Sequence, residues 1–163
     1  MSLEWLWIVE SVLFWASIIW VVILWFKGVL PALIRLGNGL AKRKLAIFAK
    51  GNNLISITDS LHDSGLFSKR NIISISSKGD IGKAEKATLF LVYWPDWQND
   101  IDSILTEKED GTALIVYAPQ ELGFIPPAEI KKLNEKRNVI VANFRGRLLN
   151  DVVISMITTS YKK

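Results

Sequence analysis

Hydrophobic periodicity divides the chain into two regimes. From Trp5 to Phe26 the sequence WLWIVESVLFWASIIWVVILWF is apolar on every side of a helix. At ~1.5 Å per residue this stretch would run roughly 33 Å, about one hydrocarbon core. Trp5, Trp7, Trp15, Trp20 and Trp25 all fall inside it, and those near its ends suit the interfacial belts of a bilayer. The pattern predicts a membrane-spanning helix. From Leu45 onward it changes to short apolar runs: Leu45 to Ala49, Ile72 to Ser76, Thr88 to Tyr93, Ala113 to Ala118 and Val139 to Phe144. Each is rich in β-branched or aromatic residues and almost continuously apolar, as strands of a parallel sheet buried on both faces are.

Segments of helical period lie between these runs. Leu54, Ile57 and Leu61, with Leu66, form one apolar face, and Ile101, Ile104 and Leu105 a second. Ile130 and Leu133 mark a third, entered through Pro126-Pro127 as a helix start. Leu148, Leu149, Val152, Val153, Met156 and Ile157 make the last and strongest, whereas Gly79 to Lys86 offers a turn or two. Five strands alternating with helices predict an α/β fold, a small doubly wound parallel sheet of flavodoxin-like order 2-1-3-4-5. The expected organisation is a membrane helix over residues 1–27, a basic connector over 28–44 and an α/β domain over 45–163. Within the connector, Gly28-Val29-Leu30-Pro31 should break or kink the helix and Gly37-Asn38-Gly39 should punctuate again. Leu33, Ile34, Leu36 and Leu40 alternate there with Arg35 and Lys42, which fits either an interfacial segment or a short linker.

Composition and charge refine this picture. The chain has 163 residues, room for one ordinary domain and an appendage. Its hydrophobic content of 50% and mean hydropathy of +0.24 reflect the N-terminal run. Met1-Ser2-Leu3-Glu4 lacks the positive charge of a signal peptide and the apolar run is too long for one, so an anchor is expected. Lys27, Arg35, Lys42, Arg43 and Lys44 follow the run, and only Glu4 precedes it. The positive-inside bias then puts the N-terminus outside and the domain in the cytoplasm, tethered to the inner membrane by one pass. The net charge of +4 is partly this cluster, suited to anionic headgroups, so binding of duplex DNA or RNA is not expected. The absence of cysteine fits a reducing compartment. Glu10, inside the apolar run, either snorkels to the outer interface or faces a pore; the second requires a homo-oligomer.

Ligands of open α/β sheets sit outside the carboxyl ends of the strands, at the switch point. The relevant loops are Lys50-Gly51-Asn52-Asn53, Ser76-Ser77-Lys78-Gly79-Asp80, Trp94-Pro95-Asp96-Trp97, Pro119-Gln120-Glu121 and Arg145-Gly146-Arg147. Basic residues stand in three of them, beside glycines and helix N-termini that present free N–H groups. The candidate ligand-binding residues are therefore Lys50, Gly51, Asn52, Lys78, Trp94, Asp96, Arg145, Gly146 and Arg147, with Gly146 expected to turn the chain tightly into the last helix. The expected ligand is anionic. A two-component receiver is excluded, since Lys50-Gly51 and Tyr93-Trp94 occupy the places of its acidic pocket and phospho-accepting aspartate. There is no G-x-G-x-x-G, no P-loop, no metal-ligand spacing and no serine–histidine arrangement, and His62 falls on the outer side of its helix pattern. No cofactor and no catalytic residue are implied.

Trp97-Gln98-Asn99-Asp100 resembles the stretch of TIR domains in which a tryptophan is closely followed by a glutamate, with the acid here an aspartate one residue early and Glu107 too distant. That resemblance implies a flavodoxin-like fold and, as one alternative, NAD cleavage. The architecture as a whole, Trp5 to Phe26 followed by Leu45 to Tyr161 with basic glycine-bearing loops, resembles the membrane effectors of prokaryotic antiviral defence. In those a CARF-like or TIR-like domain binds a cyclic oligonucleotide and controls a membrane pore. The resemblance implies a sensor-effector binding an anionic nucleotide. A membrane-tethered protein-interaction adaptor is the competing class.

Overall fold

The computed structural model describes residues 3–159, and the chain forms two compact units, Met1–Gly37 and Asn38–Lys163. Met1, Ser2 and the C-terminal Ser160 to Lys163, Tyr161 among them, lie outside the described residues. The first helix, α1 (Leu3–Phe26), has 24 residues. None of its Trp5–Phe26 window is buried in the chain, and it is long and apolar enough to cross a membrane. Glu10 lies about two turns into it, roughly 10 Å along the axis. Gly28 then takes φ +73°, the left-handed conformation that stops an α-helix and favours glycine. The connector does not break a second time: α2 (Val29–Lys42) runs through Gly37-Asn38-Gly39. Glycine weakens a helix by about 1 kcal/mol without forbidding its dihedrals, and Pro31 sits in the first turn, where a missing N–H removes no helical bond.

The second unit is a five-stranded parallel sheet, as the alternation predicts, in the order β2-β1-β3-β4-β5 expected from the flavodoxin-like crossover habit. Its strands are β1 (Leu45–Phe48), β2 (Ile72–Ile75), β3 (Leu89–Tyr93), β4 (Ala113–Tyr117) and β5 (Val139–Ala142). The register pairs Leu45 with Ile72 and Leu89, Leu89 with Ala113, and Leu114 with Val139. The central strands β1, β3 and β4 are buried at every residue, while the edge strands β2 and β5 are buried only at their last residue. That difference follows from position, because an edge strand has one neighbour instead of two.

Side-chain alternation sorts the core into two layers. Leu45, Ile47, Leu91 and Ile115 pack beneath Ile57 and Leu61 of α3 (Gly51–Asp63) and Leu148, Val152 and Met156 of α7 (Arg145–Thr158). Ala46, Phe48, Phe90 and Val116 face the other way. They meet Trp94 and Trp97 of the short α4 (Trp94–Trp97), Ile104 of α5 (Ile101–Glu107), Leu133 of α6 (Pro127–Asn134) and Ile81 and Ala84 of a 3-10 helix, Lys78–Lys86. Leu66 does not extend the α3 face. It is exposed beyond the helix end, and the adjacent Phe67 is the buried residue. The most consequential departure from the sequence pattern is Arg43. Expected with the other connector cations to suit headgroups, it is instead 6% exposed and donates to Thr159 Oγ1 (3.0 Å) and the Thr159 carbonyl (2.6 Å).

Candidate functional site

The sheet order places the switch point between β1 and β3, whose outgoing helices, α3 and α4, lie on opposite faces. Two loops meet there. After β1 the chain enters α3 through Lys50, the N-cap residue, in extended conformation. Gly51, the first residue of α3, has φ +51°, which a side chain at this position would resist. After β3, Tyr93 leads straight into the one-turn α4, with Pro95 in its first turn.

Asp96 joins the two loops. Its Oδ2 accepts the backbone N–H of Lys50 at 2.7 Å, and the Asn53 amide lies 3.4 Å from each carboxylate oxygen. The N-cap residue Lys50 makes no side-chain capping bond, and an acceptor for its N–H comes from the other side of the switch point. An aspartate at that place satisfies an open donor and complements the helix dipole, each contributing about 0.5–1 kcal/mol. The Lys50 ammonium lies 5.1 Å from the centre of the Trp97 ring, a cation–π contact. Trp97 itself is fully buried and meets Phe48 edge-on at 5.5 Å.

The other candidate residues are not gathered at this point. Lys78 pairs with Asp100 at 2.8 Å. In the same loop Asp80 takes bonds from Lys83 (2.7 Å) and Ser77 (2.8 Å), which hold its carboxyl below the ordinary carboxylate range. Trp94 is buried, and its indole N–H donates to the Phe124 carbonyl at 3.0 Å. Arg145 turns toward α3, where one guanidinium nitrogen donates to the Ser56 carbonyl (3.1 Å), Ser56 Oγ (2.7 Å) and Ser60 Oγ (2.8 Å). It fastens α7 to α3 instead of facing the loops. Gly146 is an ordinary residue of α7's first turn, without positive φ and with open space where a Cβ would stand, so the helix start does not depend on it. Arg147 is exposed, 3.8 Å from Asp151. Asn52 is exposed in the first turn of α3.

Tyr93 and Tyr117 close the carboxyl ends of β3 and β4, their rings 5.8 Å apart. Burial first, then the nearby Asp96 charge and Tyr117, push the Tyr93 phenol above its ordinary pKa. Among the described residues no three His, Asp or Glu side chains are arranged to hold a metal, and His62 is partly exposed beside Asp63. In the stretch Trp97 to Asp100, the Trp97 ring belongs to the core and the Asp100 carboxylate to Lys78.

Sequence reasoning read the loop after β4 only as Pro119-Gln120-Glu121 and missed the apolar residues that follow it. Leu122 and Phe124 are 70% and 79% exposed there. The loop is held by the Trp94 bond and by Leu122 N–H to the Pro119 carbonyl (3.0 Å), and Gly123 packs so closely on the Ala118 backbone that a Cβ there would clash. Its signal was legible: two large apolar residues set in a turn between Pro119 and Pro126. Comparison with protein-family models and with curated proteins returns no match.

Proposed function

We propose that this chain is a single-pass membrane sensor-effector. Its cytoplasmic α/β domain would bind an anionic nucleotide at the switch point and pass the change to membrane helices in a homo-oligomer, altering their assembly or permeability. The observation that carries this reading is the Asp96 carboxylate on the Lys50 N–H at the start of α3. An anion is already stabilised at that point, supplied by a loop from across the switch. A phosphate carries more charge and more acceptor oxygens than a carboxylate and competes for the same donor. Displacing Asp96 would release the β3 loop, so ligand arrival becomes a movement. Lys50 and Asn52, both exposed, are the side chains in reach of the incoming group. The resemblance to antiviral membrane effectors motivates choosing a cyclic oligonucleotide signal over other phosphates, and the basic flank of α1 supports an N-out orientation in the inner membrane.

The test is calorimetric titration of the full chain in nanodiscs with mono-, di- and cyclic oligonucleotides. Asp96→Asn removes the competing charge while keeping the side-chain shape, and should tighten binding about tenfold, equivalent to ~1.4 kcal/mol. Absence of binding by both wild type and Asp96→Asn at saturating nucleotide refutes the reading.

The exposed Leu122 and Phe124 favour a second one, the tethered adaptor. A firmly held loop that presents two apolar side chains suits a protein partner. A stoichiometric partner retained by the wild type and lost with Leu122→Ser/Phe124→Ser, with no nucleotide bound, would establish it.

A further inference from the structure

We infer that α2 is an interfacial helix that lies along an anionic lipid surface, its apolar face in the bilayer that holds α1. This rests on α1 spanning the membrane and is independent of any ligand at the switch point. Three observations converge on it. Only Lys27 and Gly28 separate the two helices, and Gly28 in the left-handed conformation ends the first. The start of α2 is therefore held at the hydrocarbon boundary, yet α2 is not a continuation of α1. Within α2, Val29, Leu33 and Ile34 are 42%, 55% and 48% exposed. Positions 29, 33, 36 and 40 recur at helical spacing on one side, while positions 35, 38 and 42, an arginine, an asparagine and a lysine, recur on the other.

Charge then identifies the partner. No Asp or Glu occurs between Glu10 and Asp59, whereas Lys27, Arg35, Lys42 and Lys44 lie within that interval. Each such cation near an anionic leaflet contributes about 1 kcal/mol. Helix energetics point the same way. At 14 residues with glycine at 37 and 39, α2 is near the length at which isolated helices are marginal in water, and the glycines weaken it further. Burying its apolar face in the headgroup–acyl boundary offsets that deficit.

The chain lacks cysteine, so single cysteines introduced into it are unique labels. Nitroxides would be placed at Leu33→Cys, Leu36→Cys, Arg35→Cys and Asn38→Cys, with Trp15→Cys as a reference inside α1. Each variant is reconstituted in vesicles of phosphatidylcholine with or without phosphatidylglycerol. The expected result is an oscillation of period 3.6 in accessibility. Positions 33 and 36 should be reached by oxygen, and 35 and 38 by a water-soluble nickel chelate. The oscillation should shrink when phosphatidylglycerol is omitted or when Lys27, Arg35 and Lys42 are all changed to Gln. Uniform nickel accessibility along α2 would make it an aqueous linker, and uniform oxygen accessibility a continuation of the span. Dipolar broadening at 33 and 36 would make its partner a second copy. Each of these overturns the inference. A Trp15→Cys label found in water would overturn the anchor itself, which separates that failure from the others.

Discussion

The Asp96 carboxylate shows how one side chain acquires several consequences from its position. It caps α3 from across the switch point, and its charge is one of three influences that raise the Tyr93 pKa, after burial and ahead of Tyr117. Because the folded phenol keeps its proton to higher pH than the unfolded one, its contribution to stability is intact below the unfolded pKa of about 10. It is lost as pH rises through that value toward the folded one. Denaturant midpoints should therefore fall above about pH 10 in the wild type and fall less in Tyr93→Phe. Ultraviolet difference titration should find a late-titrating phenol that Asp96→Asn moves to lower pH. If the late phenol persists in Tyr93→Phe, its assignment to Tyr93 is wrong.

Between elements, the informative contact is the Arg145 clamp on α3. Its guanidinium holds Ser56 and Ser60, one turn apart, and so ties the start of α7 to the middle of the neighbouring helix. These bonds are solvent-exposed and go to neutral acceptors, so Arg145→Ala should cost about 1–2 kcal/mol of stability. A smaller loss is expected from Ser56→Ala/Ser60→Ala, which leaves the bond to the Ser56 carbonyl in place, and the triple variant should lose no more than Arg145→Ala alone. Chemical denaturation measures all three, and full additivity would show that the clamp is not the source. As sequence, Arg145-Gly146-Arg147 reads as an anion loop because cations and glycine gather where a strand meets a helix. The structure separates the two arginines instead, one turned toward α3 and the other left beside Asp151 at 3.8 Å.

At the scale of the molecule, the domain closes where its chain begins and ends. Arg43, just before β1, donates to the side chain and carbonyl of Thr159, just after α7. The loss of a buried, charge-assisted pair of bonds should destabilise Arg43→Ala by about 3–5 kcal/mol, with Arg43→Lys intermediate because an ammonium lacks the planar fork. Thermal unfolding of the full chain in nanodiscs measures this, and an unchanged midpoint would show that the closure is dispensable. Much of the architecture follows from sequence alone, because it depends on local period. Trp5 to Phe26 has no polar face to give a soluble fold. The runs of β1, β3 and β4 are apolar at successive residues because both sheet faces are covered. The alternation of strands and helices leaves few ways to wind a parallel sheet. The partners of the charged side chains follow a different rule. The Asp96 carboxylate accepts the Lys50 backbone N–H across 46 positions, Arg145 meets Ser56 across 89 and Arg43 meets Thr159 across 116. Hydrophobic period fixes which side of an element is buried, but it carries no information about which distant loop arrives beside a given cation. Strand order, register and loop closure decide that, and so only the tertiary structure separates the cations that hold the domain together, Arg43 and Arg145, from those such as Lys50 and Arg147 that stand exposed at its surface.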